Sequence, residues 1–165
     1  MEVGIKMIKG LSSREYINEN LKIEIISPMD GLIFAEMKLK EMEFHVEYAK
    51  KMGINDIYCK SYTLKQAMES QNKYDTYILK NKTDNVLGFI QLSDFDKVNT
   101  RNGVYINNLY VREQYRGKGV ATDILNFLSD KFNEVMFEAY YNIPGNKLYQ
   151  ELGFKEIGKI YLKTK

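Results

Sequence analysis

Apolar positions along this chain change period several times, and each change marks an element. Residues 1–20 mix charges with small polar side chains without a sustained period, which predicts an N-terminal arm. Leu21–Ser27 (Leu-Lys-Ile-Glu-Ile-Ile-Ser) alternates as a half-buried strand does. Pro28-Met29-Asp30 then stops it and offers Asp30 as a helix N-cap. From Gly31 to Met52 the period is helical. Leu32, Ala35, Leu39, Met42, Val46 and Ala49 predict one core-facing stripe, with Glu36/Lys40 and Glu47/Lys51 as favourably oriented pairs on other faces. Gly53 is a good C-terminal stop, and a shorter helix is expected within Ser61–Gln71. Tyr74–Lys80 and Val86–Phe95 read as two strands of an antiparallel hairpin closed by the polar turn Asn81–Asn85.

The stretch Val104–Ala121 starts as an apolar, β-rich run, crosses a short charged turn and opens into a helical pattern. Val104 and Ile106 share one phase of a pleated strand, Leu109 and Val111 the other, and the phase flips at Asn107-Asn108. An extra residue there, a β-bulge, restores one buried face along the whole strand. A bulge also bends its strand and opens a gap beside the neighbouring one, a natural place for a ligand. Arg116-Gly117-Lys118-Gly119-Val120-Ala121 follows. Two glycines let the backbone curl so that several N–H groups point inward just where a helix begins. Free N–H groups and the helix dipole together make an anion site suited to a pyrophosphate.

Ala121, Ile124, Leu125, Leu128 and Phe132 form the expected inner face of that helix. Val135–Tyr140 reads as a strand, parallel to the central one because a helical crossover joins them. Asn142-Ile143-Pro144-Gly145 breaks it, Asn146–Leu152 makes a short helix stopped by Gly153, and Phe154–Lys163 reads as a last strand.

Composition narrows the class. With 165 residues, 44% hydrophobic and 28% charged, the chain suits one globular domain with a real core, expected over residues 21–165. Its 24 basic and 22 acidic side chains nearly cancel to +2, which gives no support to nucleic-acid or membrane-surface binding. Cys59 is the only cysteine and His45 the only histidine, so no intrachain disulfide, thiolate zinc cluster or multi-histidine site is open to it, and no metal is expected. No apolar run is long enough to span a bilayer and the first residues lack a signal-peptide core, so the expected location is the cytoplasm.

The order strand, helix, helix, hairpin, bulged strand, glycine loop, helix, strand, helix, strand resembles the GNAT family of N-acetyltransferases. The resemblance runs from about Lys22 to the C-terminus and is strongest from Tyr105 to Phe154. Two motifs carry it. The family's acetyl-CoA loop, Arg/Gln-x-x-Gly-x-Gly/Ala, is met by Arg116, Gly119 and Ala121; a second reading starts at Gln114, with Gly117 and Gly119. The family's Asn…Leu-Tyr…Gly-Phe segment is met by Asn142, Leu148-Tyr149 and Leu152-Gly153-Phe154.

The resemblance implies an α+β fold: a central mixed sheet with a bulged strand and helices on both faces. It implies direct transfer of acetyl from acetyl-CoA to a primary amine, small molecule or peptide, without a metal. The backbone of Leu109-Tyr110-Val111 would pair with the pantetheine arm like an added strand. Amides of Arg116, Gly117, Lys118, Gly119, Val120, Ala121 and Thr122 would hold the pyrophosphate. Tyr149 would protonate the departing thiolate, and a backbone N–H at the bulge would polarise the thioester carbonyl. Asn142 would touch the cofactor or cap the next helix. Glu138 is the leading candidate for taking the amine's proton, its alternative being a solvated or paired strand carboxylate.

Two rival readings compete with this one. Gly117–Thr122 nearly matches the Gly-x-Gly-x-x-Gly fingerprint of a dinucleotide-binding oxidoreductase, with Glu138 near the distance of the ribose acid. Against it, Thr122 stands where the third glycine belongs, and the charged turn Arg112–Tyr115 separates strand from glycines. The other rival is a GNAT-fold module that binds acyl-CoA without catalysis, which Tyr149 argues against. After Phe154 there is room for one broken strand, or two very short ones around Gly158. That leaves the acceptor site open, or completed by a second subunit in a homodimer.

Overall fold

The structure, a computed structural model, describes residues 8, 10–53, 63–95, 102–139 and 145–158. Among these residues six strands form one sheet in chain order: β1 (Arg14–Asn18), β2 (Leu21–Ile25), β3 (Asp75–Lys80), β4 (Val86–Asp94), β5 (Gly103–Val111) and β6 (Glu134–Phe137). The first five are antiparallel to their neighbours; β1–β2 and β3–β4 are hairpins with short turns, while β2 and β3 are joined through the helices between them. Only β5 and β6 run parallel, joined by the helix α3 (Val120–Lys131). One parallel pair at the end of an antiparallel sheet is not a doubly wound dinucleotide fold, which requires parallel strands throughout the nucleotide-binding half.

Successive side chains of a strand point to opposite faces, and here both faces are covered. Tyr77, Leu79, Ile90, Leu92, Val104 and Ile106 pack with Ile124, Leu125 and Leu128 of α3. Ile78, Phe89 and Tyr110 pack on the other face with Phe34 and Met37 of α1 (Gly31–Lys51). The short helix α2 (Leu64–Glu69), opened by a Thr63/Gln66 capping box, lies against α1. The last helix, α4 (Gly145–Glu151), brings Tyr149 onto the α3 side of the sheet. This mixed sheet with helices on both faces is the α+β architecture expected from the sequence. Among the described residues, no helix is long and apolar enough to cross a membrane.

Four details differ from the sequence reading. Residues 14–18, expected within an arm, form the edge strand β1. Its alternation is carried by charged residues: Arg14 reaches Glu24 at 2.9 Å, and Glu15 meets Lys131 at 3.2 Å. Charged edge strands resist pairing with other chains, and hydropathy alone overlooks them. Asp30 precedes α1 but does not cap it with its side chain; it accepts hydrogen bonds from the Ser27 amide at 3.1 Å and hydroxyl at 3.0 Å, closing the turn Pro28–Asp30. The inner face of α1 is Phe34, Ala35, Met37, Lys38, Glu41 and Ala49, while Leu32 is 57% exposed. Lys38 and Glu41 bury as a 2.9 Å ion pair, so two charged residues occupy interior positions. Finally, β6 stops at Phe137 rather than Tyr140, and residues 154–158 carry no strand; Tyr140 and residues 159–163 lie outside the described set.

The expected bulge is present. Gln91 faces Asn108 and Leu92 faces Ile106, so Asn107 has no cross-strand partner. Val104, Ile106 and Leu109 thereby share the α3 face, as the flipped periodicity requires.

Candidate active site

Pairing between β5 and β6 covers Gly103–Ile106 against Glu134–Phe137 and ends there, while β5 runs on to Val111. Among the described residues, a parallel partner is therefore missing beside the second half of β5, from the bulge onward. The orientation of the backbone there follows from its other edge. Arg112 N–H donates to Leu87 O at 2.8 Å and Tyr110 pairs with Phe89, so these residues turn their polar groups toward β4. By alternation Leu109 and Val111 turn theirs toward the gap. An extended amide-bearing chain laid there would be bound as an added strand.

At the far end of β5 the chain makes a tight turn, Glu113–Tyr115, and then Arg116–Gly119. Gly117 has φ +73° and Gly119 φ +83°, a left-handed backbone that side chains with a Cβ rarely adopt. A Cβ built on either would meet nothing within 4 Å, so the turn is open on its outer side. Gly119 is the N-cap of α3, and the first helical bond runs from Asp123 N–H to Gly119 O. The amides of Val120, Ala121 and Thr122 precede that bond and have no acceptor within the helix. With the helix dipole behind them they form an N–H-rich end that could accept an anion such as a diphosphate.

Arg116 is anchored at this turn. Its Nε donates to Val111 O at 2.8 Å and its guanidinium lies 5.4 Å from the centre of the Tyr110 ring. Four of its five N–H donors stay beyond that bond, and Lys118 is exposed beside it. Tyr110 itself is 9% exposed and stacked on Phe89, so it supports Arg116 from the core. A cleft of about 390 Å³ between α1 and this turn is bordered by Met37, Lys40, Tyr110, Arg112 and Arg116.

At the near end of the gap stands Tyr149. Its ring packs edge-on against Phe137, the last residue of β6, with centroids 4.6 Å apart, and Phe154 closes on both rings. Burial pushes the Tyr149 phenol above its ordinary value. Among the described residues nothing hydrogen-bonds its hydroxyl.

Glu138 lies just past β6, exposed, with its carboxylate accepting from the Tyr105 hydroxyl on β5. Burial first, and then the Glu138 charge and hydrogen bond, raise the Tyr105 phenol. The structure thus brings Leu109, Val111, the glycine turn, Tyr149 and Glu138 to one stretch of β5 and its missing neighbour. Asn142 lies outside the described residues. Sequence reading missed a buried polar group behind the bulge: Lys38, Glu41, Gln91 and Asn108. The available signal was Gln91 itself, a polar residue inside the apolar run Leu87–Leu92.

The profile of the Acetyltransferase (GNAT) family matches residues 49–154. The chain is 27% identical over 154 residues to the SPbeta prophage-derived uncharacterized N-acetyltransferase YokL of Bacillus subtilis (strain 168), spanning 88% of this chain and 81% of that protein. Among solved structures it is similar to AAC(6')-Iy in complex with the bisubstrate analog CoA-S-monomethyl-acetylneamine, with TM-score 0.57 and 17% identity over 88% of this chain and 97% of that one. It is also similar to ribosomal-protein-alanine N-acetyltransferase from Brucella melitensis biovar Abortus 2308, with TM-score 0.56 and 19% identity over 87% of this chain and 98% of that one. At such identities the two structures speak for the fold.

Proposed function

The chain belongs to the Acetyltransferase (GNAT) family, and from that premise we propose that it moves acetyl from acetyl-CoA directly to a primary amine of a small molecule or peptide in the cytoplasm. One observation carries this reading: among the described residues, the pairing of β5 with β6 ends at Ile106, yet β5 continues to a glycine turn that opens a helix. Acetyl-CoA supplies an activated thioester; binding, orientation and proton handling fall to the chain. Leu109 and Val111 hold the pantetheine amides by their gap-facing backbone, and the Val111 carbonyl, with two lone pairs, shares itself between ligand and Arg116. The amides from Arg116 to Thr122 hold the diphosphate, with Arg116 and Lys118 adding positive charge.

At the reacting end a backbone N–H of the bulge donates to the thioester oxygen as charge gathers on it. The Tyr149 hydroxyl donates to the departing sulfur. With reference values of about 10 for a phenol and 8.5 for a thiol, full transfer to a free thiolate is uphill by about 2 kcal/mol. The hydroxyl therefore acts first as a hydrogen-bond donor to the developing charge, and its proton follows as the carbon–sulfur bond breaks. The acceptor must lose a proton, since an alkylamine titrates near about 10.4. Glu138, directly or through water, is the carboxylate proposed to take it.

The test is a panel of primary amines incubated with acetyl-CoA, reading free thiol, beside calorimetry with CoA. Amine-dependent thiol release is the expected result. CoA binding without turnover on any amine would favour a non-catalytic acyl-CoA module, and no CoA binding would overturn both.

A further inference from the structure

We propose that Gln91 is a positioning residue for acetyl transfer: its carboxamide fixes the β5 bulge in register and ties it to α1. The proposal rests on the reading above, in which the bulge presents its backbone to the thioester.

Gln91 is wholly buried in mid-strand, where β4 and β5 change register. A carboxamide offers two acceptor lone pairs and two N–H groups, and here all four are used. Oε1 accepts from Lys38 Nζ at 3.2 Å and from Asn108 Nδ2 at 2.8 Å. Nε2 donates to Ser70 O and to Thr76 Oγ1, each at 3.1 Å. Lysine only donates and a peptide carbonyl only accepts, so the orientation of the amide is forced rather than chosen. One side chain thus joins α1, the turn after α2, β3 and the bulge.

The bulge needs such a device because its sequence is ambiguous. Asn107 and Asn108 are adjacent and identical, so either can stand opposite Gln91 while the other is left out. The side-chain bond from Asn108 to Gln91, together with one from Asn107 to Ser93 Oγ at 2.9 Å, selects the observed register. A slip would redirect the backbone groups at the head of the gap. Lys38 keeps the selection firm. It is 4% exposed and paired with Glu41 at 2.9 Å, with the Phe89 ring 5.6 Å from its nitrogen, so leaving Gln91 would cost this buried cation one of its hydrogen bonds.

The experiment compares Gln91→Leu and Asn108→Ala with wild type in steady-state kinetics on a responsive amine, CoA calorimetry, and amide hydrogen exchange at residues 107–109. Ile78→Ala, a core truncation on β3, serves as the control for lost stability. Expected is a fall in kcat of about tenfold or more, with CoA affinity kept within about twofold, because the diphosphate amides lie at the far end of the gap. Exchange at residues 107–109 should quicken in both variants and not in Ile78→Ala. A kcat loss no larger than that of Ile78→Ala at matched melting temperature would overturn the proposal. Should Gln91→Leu fail to fold, Asn108→Ala decides, since it removes only the selecting bond. Should no amine be turned over by wild type, the enzymatic reading falls; unchanged exchange in a folded variant would then sink the positioning claim separately.

Discussion

Tyr149 lays its phenol against Gly145, one helical turn back along α4: a β-carbon built on Gly145 would stand 3.2 Å from the Tyr149 hydroxyl oxygen. Side chains on a helix lean toward its N-terminus, so position 145 is where the tip of residue 149 must rest. Gly145→Ala should tilt the ring and withdraw the hydroxyl from the sulfur. The expected result is a kcat loss approaching that of removing the hydroxyl, with CoA affinity unchanged by calorimetry. Wild-type kcat in Gly145→Ala would show that the ring is not held there during turnover.

Tyr149→Phe keeps the ring that packs on Phe137 and Phe154. Because nothing among the described residues bonds the hydroxyl, melting temperature and CoA binding should hardly change. Turnover should fall by about a hundredfold, the ordinary worth of one positioned acid–base group. The phenol is raised above its usual 10.0, so it stays protonated through neutral pH and its loss of a proton can limit activity only above that value. An alkaline limb above pH 10.0 in wild type should be missing from the variant. A pH–rate profile of both proteins, taken where chemistry limits the rate, checks it.

Gly119→Val should lower stability and abolish tight CoA binding, for separable reasons. A β-branched residue at φ +83° costs on the order of 1–3 kcal/mol of strain. Its Cβ meets no protein atom within 4 Å, so any further loss comes from keeping the diphosphate away. Gly119→Ala, with less strain and the same obstruction, should still weaken CoA by about tenfold or more. Calorimetry on the folded variants reads both, and undiminished affinity in either would move the diphosphate elsewhere.

Glu24 gathers Arg14 at 2.9 Å, Lys80 at 3.1 Å and Lys22 at 3.3 Å. Burial alone would raise its carboxyl; the lysine hydrogen bonds and the surrounding positive charge outweigh that and lower it below 4.5. A depressed carboxylate contributes stability that is fully present above its unfolded value and is lost as pH falls through the folded one. Glu24→Gln should therefore cost on the order of 1 kcal/mol at pH 7. Urea unfolding should show that gap closing below pH 4.5. A gap unchanged at pH 3 would mean the loss is packing rather than charge.

Tyr77 is fully buried on β3 and its hydroxyl has no hydrogen-bond partner among the described residues. Burial, with Asp75 and Glu15 adding negative charge, pushes it to about 12, so it is a neutral, unsatisfied donor. Tyr77→Phe removes that group and keeps the ring. Stability should stay level or rise by about 1 kcal/mol, which chemical denaturation would read directly.

Features that depend on neighbours along the chain are legible in the order of residues. The bulge was legible because Val104/Ile106 and Leu109/Val111 fall out of phase, and a phase is a local property of a strand. The glycine turn was legible because left-handed backbone needs glycine, wherever the turn sits. Tertiary structure decided what depends on distant partners. Lys38 lies on the inner face of α1 where Gln91 on β4 accepts its hydrogen bond and Glu41 pairs with it, while Leu32 is left to solvent. β1 exists because β2 offers it an edge and Glu24 a counter-charge. β6 ends at Phe137, opposite Ile106, the last residue of β5 before the unpaired Asn107, a relation between strands that hydropathy along β6 does not record. A hydropathy pattern records which side chains avoid water. It holds no record of which polar groups will find each other once the chain has folded.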